Sequence, residues 1–182
     1  MRIIGGKNQR KQIIAPANLP VRPTTDMSKE ALFNILNNYF DFEEMNVLDL
    51  YAGTGNISYE FASREAREII AVDINNNCVQ FIRKTTSLLG FDTLRAVRAE
   101  AFHFLSICKA DFDLVFADPP YNFDHIAQIP QKVFDARILK PGAWLVVEHG
   151  ADIDFSSHEF FKEVRRYGKV HFSIFVNPEA HD

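Results

Sequence analysis

The sequence predicts an α/β domain in which helices flank a mostly parallel β-sheet. Short apolar segments of strand length alternate with longer helical stretches along residues 46–149, and this alternation is typical of βαβ units with parallel strands. The length of 182 residues suits one domain. An apolar fraction of 47%, which includes 17 Phe residues, is enough for a packed core and argues against disorder.

The first elements of the chain precede this alternating pattern. Residues 2–14 read as two short strands around a polar turn, which predicts a small β-hairpin. A loop with several prolines follows, and Thr25-Asp26 then look like the start of a helix. The predicted apolar face of that helix is marked by Met27, Ala31, Ile35 and Tyr39.

The alternating strands and helices follow. Apolar strands are predicted at residues 46–51, 68–74, 94–100, 112–118 and 143–149, with a last strand at 169–177. Helices are predicted at residues 56–64, 75–89, 101–108, 124–138 and 156–163. Open α/β sheets bind their ligands at the carboxyl ends of the strands, so functional residues are expected there.

The net charge of −4 is distributed unevenly along the chain. Residues 1–29 contain six Lys and Arg residues against Asp26 alone, a net charge of +5, whereas the remainder carries −9. A basic segment on an acidic body indicates a polyanionic partner, although a solvated tail would have the same composition. We therefore predict a basic β-hairpin arm at residues 1–21 and a main domain at residues 22–182.

Composition also excludes several classes of protein. No apolar run approaches the ~20 residues of a membrane-spanning helix, and the first residues lack the apolar segment of a signal peptide. Cys78 and Cys108 are too few for a disulfide framework and lack metal-ligand spacing. We expect a cytoplasmic protein with reduced thiols, no membrane association and no metal.

A glycine-rich loop lies within VLDLYAGTGN, residues 47–56. The glycines of GTG at 53–55 permit a sharp turn and a close approach to a ligand. Asp73, at the end of the next strand, is placed to accept hydrogen bonds from a ribose diol, and Glu100, after the third, is placed beside an adenine. This predicts NAD or S-adenosylmethionine as cofactor. A tight turn without a ligand stays open, because Ser58 replaces the third glycine of the full dinucleotide fingerprint.

FADPPYNF, residues 116–123, ends an apolar strand with a carboxylate and two prolines. Proline cannot donate to a sheet ladder, so Pro119 and Pro120 end the strand in a stiff platform. The Asp118 carboxylate and the Pro119 carbonyl can accept both N–H groups of an exocyclic amine, which turns its nitrogen lone pair toward an electrophile. The Tyr121 ring can stack on a flat base. Hydride transfer needs none of these groups, so S-adenosylmethionine is the favoured cofactor.

LDLYAGTG together with DPPY resembles the class I S-adenosylmethionine-dependent methyltransferases that modify exocyclic amines. RIIGGK at the start, RPTTDMSKEALFNIL at 22–36, the glycine loop, DPPY and LVVEHG at 145–150 resemble, in this order, the bacterial RsmD family. The resemblance implies a Rossmann-like, seven-stranded, mostly parallel sheet whose antiparallel final strand is supplied by 169–177. It also implies methylation of a guanine N2 in 16S ribosomal RNA, guanine 966 in that family, with the RNA or a small-subunit assembly particle as partner of a monomer.

The resemblance also assigns roles to individual residues. The cofactor contacts that it implies are Thr25, Asp49, Tyr51, Ala52, Gly53, Gly55, Asp73, Ile74, Glu100, Ala101 and Asp118. The catalytic residues argued above, and again implied by the resemblance, are Asp118, Pro119 and Tyr121. The expected RNA contacts are Arg2, Lys7, Arg10, Lys11, Arg22, Pro120, Tyr121 and Phe123. The positions that depart from the family's usual residues are Met27, Lys29, Ser58, Glu65 and Glu100.

Two kinds of alternative function stay open. Adenine-N6 nucleic-acid methyltransferases and glutamine-amide protein methyltransferases use the same platform, usually with Asn or Asp first, so Asp118 does not exclude them. A non-catalytic RNA-binding ribosome assembly factor could use the same fold as a scaffold, although the intact DPPY argues against it. Analysis of methylated nucleosides separates the first group, and a turnover assay separates the second.

Overall fold

Seven strands form one sheet in the computed structural model, which describes residues 1–20 and 25–179. The strands are β1 (Asn46–Asp49), β2 (Glu68–Asp73), β3 (Leu94–Arg98), β4 (Phe112–Ala117), β5 (Leu139–His149), β6 (Phe161–Tyr167) and β7 (Val170–Val176). The helices are α1 (Asp26–Asn37), α2 (Asn56–Ser63), α3 (Asn76–Leu89), α4 (Ala101–Ile107) and α5 (Ile129–Asp135). Short 3₁₀ turns lie at Phe42–Glu44 and Ile126–Gln128.

The order of the strands across the sheet is β3-β2-β1-β4-β5-β7-β6. The pairs among β1 to β5 are parallel, whereas β7 runs antiparallel to both of its neighbours, β5 and β6. The predicted α/β class, with an antiparallel strand at 170–176, is therefore confirmed. The order reverses between β1 and β4, and the crevice at such a switch point is where open α/β sheets bind ligands.

Both faces of the sheet are covered by helices, and alternate strand residues point to opposite faces. One core cluster joins strand residues such as Val47 to α1, α2 and α3, and the other joins residues such as Leu48 to α4 and α5. Because both faces are buried, the central strands read as almost continuous apolar runs. The carboxyl ends of β1, β2, β3 and β4 consequently meet at one edge, between the two helical layers.

Two predictions about secondary structure are wrong. Residues 156–163 were expected to form a helix, but the chain there makes turns and then enters β6. The strand forms because its backbone pairs with β7 over Phe161–Tyr167, although its own sequence is polar. The other is the predicted apolar face of the first helix: Met27 of α1 is exposed, and so is Tyr39, which lies after the end of α1. Ile35 is buried as predicted, together with Ser28, Lys29, Leu32, Phe33 and Leu36.

The N-terminal segment, residues 1–20, packs on α2. Its predicted hairpin is reduced to a single antiparallel bridge between Arg2 and Gln12. Ile3 and Ile13 are buried in the core beside α1 and α2. The predicted division between residues 21 and 22 lies outside the described residues and stays a prediction.

No helix among the described residues is both long enough and apolar enough to cross a membrane.

Candidate active site

The glycine loop, residues 50–55, connects β1 to α2 at the switch point. Gly53 and Gly55 have φ angles of 56° and 85°, a left-handed conformation that glycine adopts without strain. A Cβ atom on Gly55 would lie 2.7 Å from the ring of Tyr59. The loop therefore turns sharply and packs closely on Tyr59, and the approach of its backbone to a ligand stays a prediction.

Asp73 ends β2 and fixes the glycine loop from the side. Its Oδ2 accepts a hydrogen bond from the Gly53 amide at 2.8 Å, and its Oδ1 accepts one from the Asn75 amide at 2.8 Å. An ionised carboxylate has about four acceptor positions, so capacity remains for a ribose diol. The neighbouring Ile74 side chain is exposed and available to cover a bound ring.

Asp49 is buried at the end of β1, where it accepts a hydrogen bond from the Ser58 hydroxyl at 2.7 Å. Burial raises the pKa of Asp49 to about 7, and the charges of Asp118 and Asp73 raise it further, against the opposing hydrogen bond from Ser58. Three carboxylates therefore act on one region of the switch point. Such a cluster favours a cationic ligand, because a positive charge relieves the repulsion among them.

Glu100 has a structural role that the sequence did not predict. Its carboxylate caps α4, accepting hydrogen bonds from the amides of Phe102 at 3.0 Å and His103 at 2.8 Å. The adjacent Ala101 is buried. The adenine contacts expected of Glu100 and Ala101 stay predictions. The two carboxylate oxygens of Glu100 are oriented by their hydrogen bonds to the first amides of α4.

The platform at 118–121 extends from the end of β4. Pro119 is buried, whereas Pro120 is exposed and the Tyr121 side chain is 92% exposed. The Phe123 amide donates to the Pro120 carbonyl at 2.9 Å, which closes a tight turn. A ring that is this exposed and held on a stiff turn is suited to stack on a base that arrives from solvent.

An aromatic cluster joins the glycine loop, the platform turn and α4. The ring of Phe123 lies 5.6 Å from that of Tyr51 and 5.8 Å from that of Phe102, measured between centroids. The Tyr51 hydroxyl is buried without a hydrogen-bond partner in the described part of the chain, and burial, followed by the charge of Glu100, raises the Tyr51 pKa. Phe123 therefore packs toward the cofactor side, and its expected RNA contact stays a prediction.

Some of the basic residues expected to contact RNA form ion pairs with acidic side chains, and others are exposed to solvent. Arg2 pairs with Asp26 at 3.3 Å, and Lys7 pairs with Glu65. Arg10 and Lys11 are exposed. Arg22 lies outside the described residues. Thr25 caps α1, where its hydroxyl accepts the Ser28 amide at 3.2 Å, so the structure gives it a local role and its cofactor contact stays a prediction.

A buried polar cluster behind the glycine loop was missed by sequence reasoning. Lys29, Asn56, Ser58 and Glu60 are all buried. One signal could have found Lys29, because it stands three, four and seven residues before Leu32, Phe33 and Leu36 and so shares their helical face. No group of three or more potential metal ligands is present in residues 1–20 and 25–179.

The chain is similar to known proteins along most of its length. The family model described as Conserved hypothetical protein 95 matches residues 1–176. The curated relative named Ribosomal RNA small subunit methyltransferase D, from Escherichia coli strain K12, is 31% identical over 148 residues, covering 81% of this chain and 71% of the relative. Putative rRNA methyltransferase YlbH of Bacillus subtilis strain 168 is 30% identical over 158 residues, covering 85% of each.

Solved structures share the fold across most of the chain. Putative methyltransferase yhhF from Escherichia coli has a TM-score of 0.86 and 25% identity, with 99% of both chains covered. An RNA methyltransferase from Salinibacter ruber, in complex with S-adenosyl-L-homocysteine, has a TM-score of 0.68 and 17% identity, covering 88% of this chain and 97% of that chain. The second likeness concerns the fold alone, and the predicted fold class is confirmed.

Proposed function

The chain belongs to the family described as Conserved hypothetical protein 95, and we propose that it transfers a methyl group from S-adenosylmethionine to the N2 amine of a guanine in 16S ribosomal RNA. The observation that carries the proposal is the platform of Asp118, Pro119, Pro120 and Tyr121 at the end of β4, beside the carboxylate of Asp49. The names of the relatives support rRNA methylation, and the platform supports an exocyclic amine as the acceptor.

The cofactor fits the residues of the switch point. Asp73 would accept hydrogen bonds from the ribose, and Glu100 and Ala101 would flank the adenine. The carboxylates of Asp49 and Asp118 would face the cationic methionine part. S-adenosylmethionine, when bound, supplies a methyl group on a positively charged sulfur, and the buried carboxylates suit that charge.

The platform orients the acceptor nitrogen. The carboxylate of Asp118 and the carbonyl of Pro119 accept the two N–H groups of the amine, so its lone pair points toward the cofactor. Tyr121 stacks on the extruded guanine and holds the ring plane. The nitrogen forms one bond to carbon as the carbon–sulfur bond breaks, and the amine then loses one proton to solvent. Alignment supplies most of the acceleration, and Asp118 acts as an orienting group.

RNA is held at two places in this proposal. The exposed Arg10 and Lys11 of the N-terminal segment contact phosphates, and the exposed Tyr121 contacts the target base. Removing residues 1–15 is a poor test of this role, because it would also take Ile3 and Ile13 out of the core. Substitution of Arg10 and Lys11 by Gln removes the charges alone. We propose that the protein acts as a monomer in the cytoplasm.

The deciding experiment offers labelled S-adenosylmethionine with naked 16S rRNA, with a partly assembled small subunit and with the finished subunit. The RNA is then digested to nucleosides. Label in N2-methylguanosine supports the proposal, and the substrate from which it is recovered identifies the particle that is methylated. Label in N6-methyladenosine, or in a glutamine side chain of a protein, would replace the proposed acceptor. Cofactor and RNA binding without any transfer would favour a non-catalytic assembly factor.

A further inference from the structure

A buried ion pair lies behind the glycine loop, outside the groups that would touch cofactor or base. Lys29 of α1 is 1% exposed and Glu60 of α2 is fully buried, with Lys29 Nζ 3.3 Å from Glu60 Oε2. Burial lowers the pKa of Lys29, while the charge and hydrogen bond of Glu60 oppose that shift. Two charges in such a place need specific partners, since an unpaired buried charge is strongly destabilising.

The ammonium group of Lys29 has three N–H donors, and three acceptors surround it. They are the Arg2 carbonyl at 2.6 Å, the Asn56 Oδ1 at 2.8 Å and the Glu60 carboxylate at 3.3 Å. Because each donor can be matched to one acceptor, the side chain is fixed in direction as well as in position. Lys29 therefore links α1 to the N-terminal segment and to two positions of α2.

One link leads to the N-terminal segment. Besides the Arg2 carbonyl held by Lys29, the Ile4 and Gly5 amides donate to Glu60 at 2.9 and 2.8 Å. Arg64 also pairs with Glu60 at 3.0 Å. The segment expected to contact RNA is thus attached to α2 through charged groups that are excluded from water.

The other link leads to the glycine loop. Asn56 is the first residue of α2 and directly follows Gly55, whose left-handed conformation ends the loop. The Lys29–Asn56 contact therefore fixes the point where the loop becomes a helix. A shift of this point would move the Gly53 and Gly55 backbone relative to Asp73, which holds the loop from its other side.

We propose that Lys29 is a positioning residue of the cofactor site, joining the start of α2 and the glycine loop to the N-terminal segment. The inference rests on the proposed function, because it concerns the loop that would hold S-adenosylmethionine. Lys29 acts through Asn56 and does not itself contact the cofactor. The contact of the N-terminal segment at the Arg2 carbonyl and the order of the glycine loop are consequently coupled.

The test measures S-adenosylhomocysteine affinity by calorimetry, together with a thermal melt, for matched variants. In Lys29→Met the new side chain is close to lysine in length. Glu60 stays paired with Arg64 and with two backbone amides, so its buried charge keeps partners. Mutations along such a link change coupling by about 0.5–2 kcal/mol, so affinity should fall about 2- to 30-fold. Lys29→Arg, which keeps the charge and donors, should retain most of the affinity.

Ser63→Ala is the matched control at the other end of α2. The Ser63 hydroxyl also holds the N-terminal segment, accepting the Asn8 amide at 2.9 Å and donating to the Gly5 carbonyl at 2.6 Å, but it has no contact with Asn56 among the bonds described. This variant should lower the melting temperature and leave the affinity unchanged. Asn56→Ala cuts the Lys29 contact from the loop side and should weaken binding like Lys29→Met.

A folded Lys29→Met protein with unchanged affinity would overturn the positioning role. If Ser63→Ala lowers both the affinity and the melting temperature in the same proportion as Lys29→Met, the positioning role is also overturned. Lys29 would then be a general stabiliser. If Lys29→Met does not fold, Asn56→Ala decides by the same criteria. Absence of binding by the unmodified protein would overturn the proposed cofactor itself, and the positioning role with it.

Discussion

The two halves of the candidate site differ in how far they are organised before any ligand arrives. On the cofactor half, Asp73 and Asp49 already hold Gly53 and Ser58 at hydrogen-bond distance. On the base half, the Tyr121 ring is 92% exposed on its turn. A polar group oriented in advance costs little ordering entropy when a ligand binds, whereas an exposed ring gains its packing from the ligand. Under the proposed function, the cofactor half is thus preformed, and the base half would be completed by RNA.

The largest expected effect comes from the one group that serves both halves. Asp118→Ala removes a charge-assisted hydrogen bond to the amine, which should lower the rate of methyl transfer about 10- to 150-fold. Misalignment of the attacking nitrogen should lower that rate by a further factor of about 10². We expect single-turnover methyl transfer at saturating cofactor to fall by about 10³- to 10⁴-fold, and cofactor affinity to fall as well, because the Asp118 carboxylate would face the cationic part of S-adenosylmethionine. The matched control is Asp124→Ala, an exposed carboxylate in the same loop. Near-normal transfer by a folded Asp118→Ala protein would refute the orienting role.

A second substitution tests whether the cofactor half is preformed. Asp73→Ala removes a charged acceptor for the ribose and frees the Gly53 and Asn75 amides. Hydrogen bonds to charged groups contribute about 1.5–3 kcal/mol, so calorimetry should show S-adenosylmethionine affinity lowered about 10- to 150-fold. Asp92→Ala, at an exposed carboxylate before β3 on the opposite edge, is the control. Equal affinities in the two variants would contradict the assignment, as would binding of NAD by the unmodified protein.

The base half is tested at Tyr121. Base–aromatic stacking contributes about 1–3 kcal/mol per base, so Tyr121→Ala should raise the KM for RNA about 5- to 150-fold. Because the side chain is 92% exposed, the melting temperature should not change. Tyr121→Phe keeps the ring and should keep most of the activity. If Ala lowers stability and activity together, the ring packs on the protein rather than on a base.

The smallest expected effect is a dependence of cofactor affinity on pH. Burial raises the pKa of Asp49 to about 7, so its ionised form, which suits a cation, becomes dominant between pH 6 and pH 8. Affinity for S-adenosylmethionine should rise by at most about tenfold per pH unit below that pKa. Asp49→Asn should flatten the calorimetric profile. A profile that is identical in both proteins would assign the dependence to another group.

The same group affects folding in the opposite direction. The pKa of Asp49 is raised above its unfolded value of 3.8, so the native state holds its proton at higher pH than the unfolded state. The stabilisation is complete below about pH 4 and is lost as pH rises toward about 7. Tighter cofactor binding and lower stability of the ligand-free protein should therefore appear over the same pH range.

Much of the fold could be predicted because a doubly covered parallel sheet requires apolar strands, and β1, β2, β4 and β5 have them. β6 escaped prediction because it is an edge strand, half-exposed and rich in charges, and its conformation is set by pairing with β7. The predicted face of α1 was right at Ile35 and wrong elsewhere, because Met27, Ala31 and Tyr39 were preferred to Leu32 and Leu36, which are buried.

The positions of candidate-site residues could be predicted where a polar side chain ends a strand or directly follows one, as Asp73 and Asp118 do. Its supporting contacts were not, because they join residues that are distant in sequence. Lys29 and Glu60 are separated by 31 positions and meet only when α1 packs beside α2. The cap that Glu100 forms on α4 could not be predicted for another reason. An acidic residue between a strand and a helix can equally bind a ligand or cap the helix.

The position of β7 between β5 and β6 has a consequence for biosynthesis. Chains emerge from the ribosome amino end first at about 5–20 residues per second, so β6 is made before the strand that connects it to the sheet. Until residues 170–176 are made, the nascent sheet ends at β5, and such an edge can pair with other chains. The two-residue turn Gly168-Lys169 joins β6 to β7, so the two strands can add to β5 together as a hairpin. The edge of β5 is therefore exposed to pairing with other chains until this hairpin has added to the sheet.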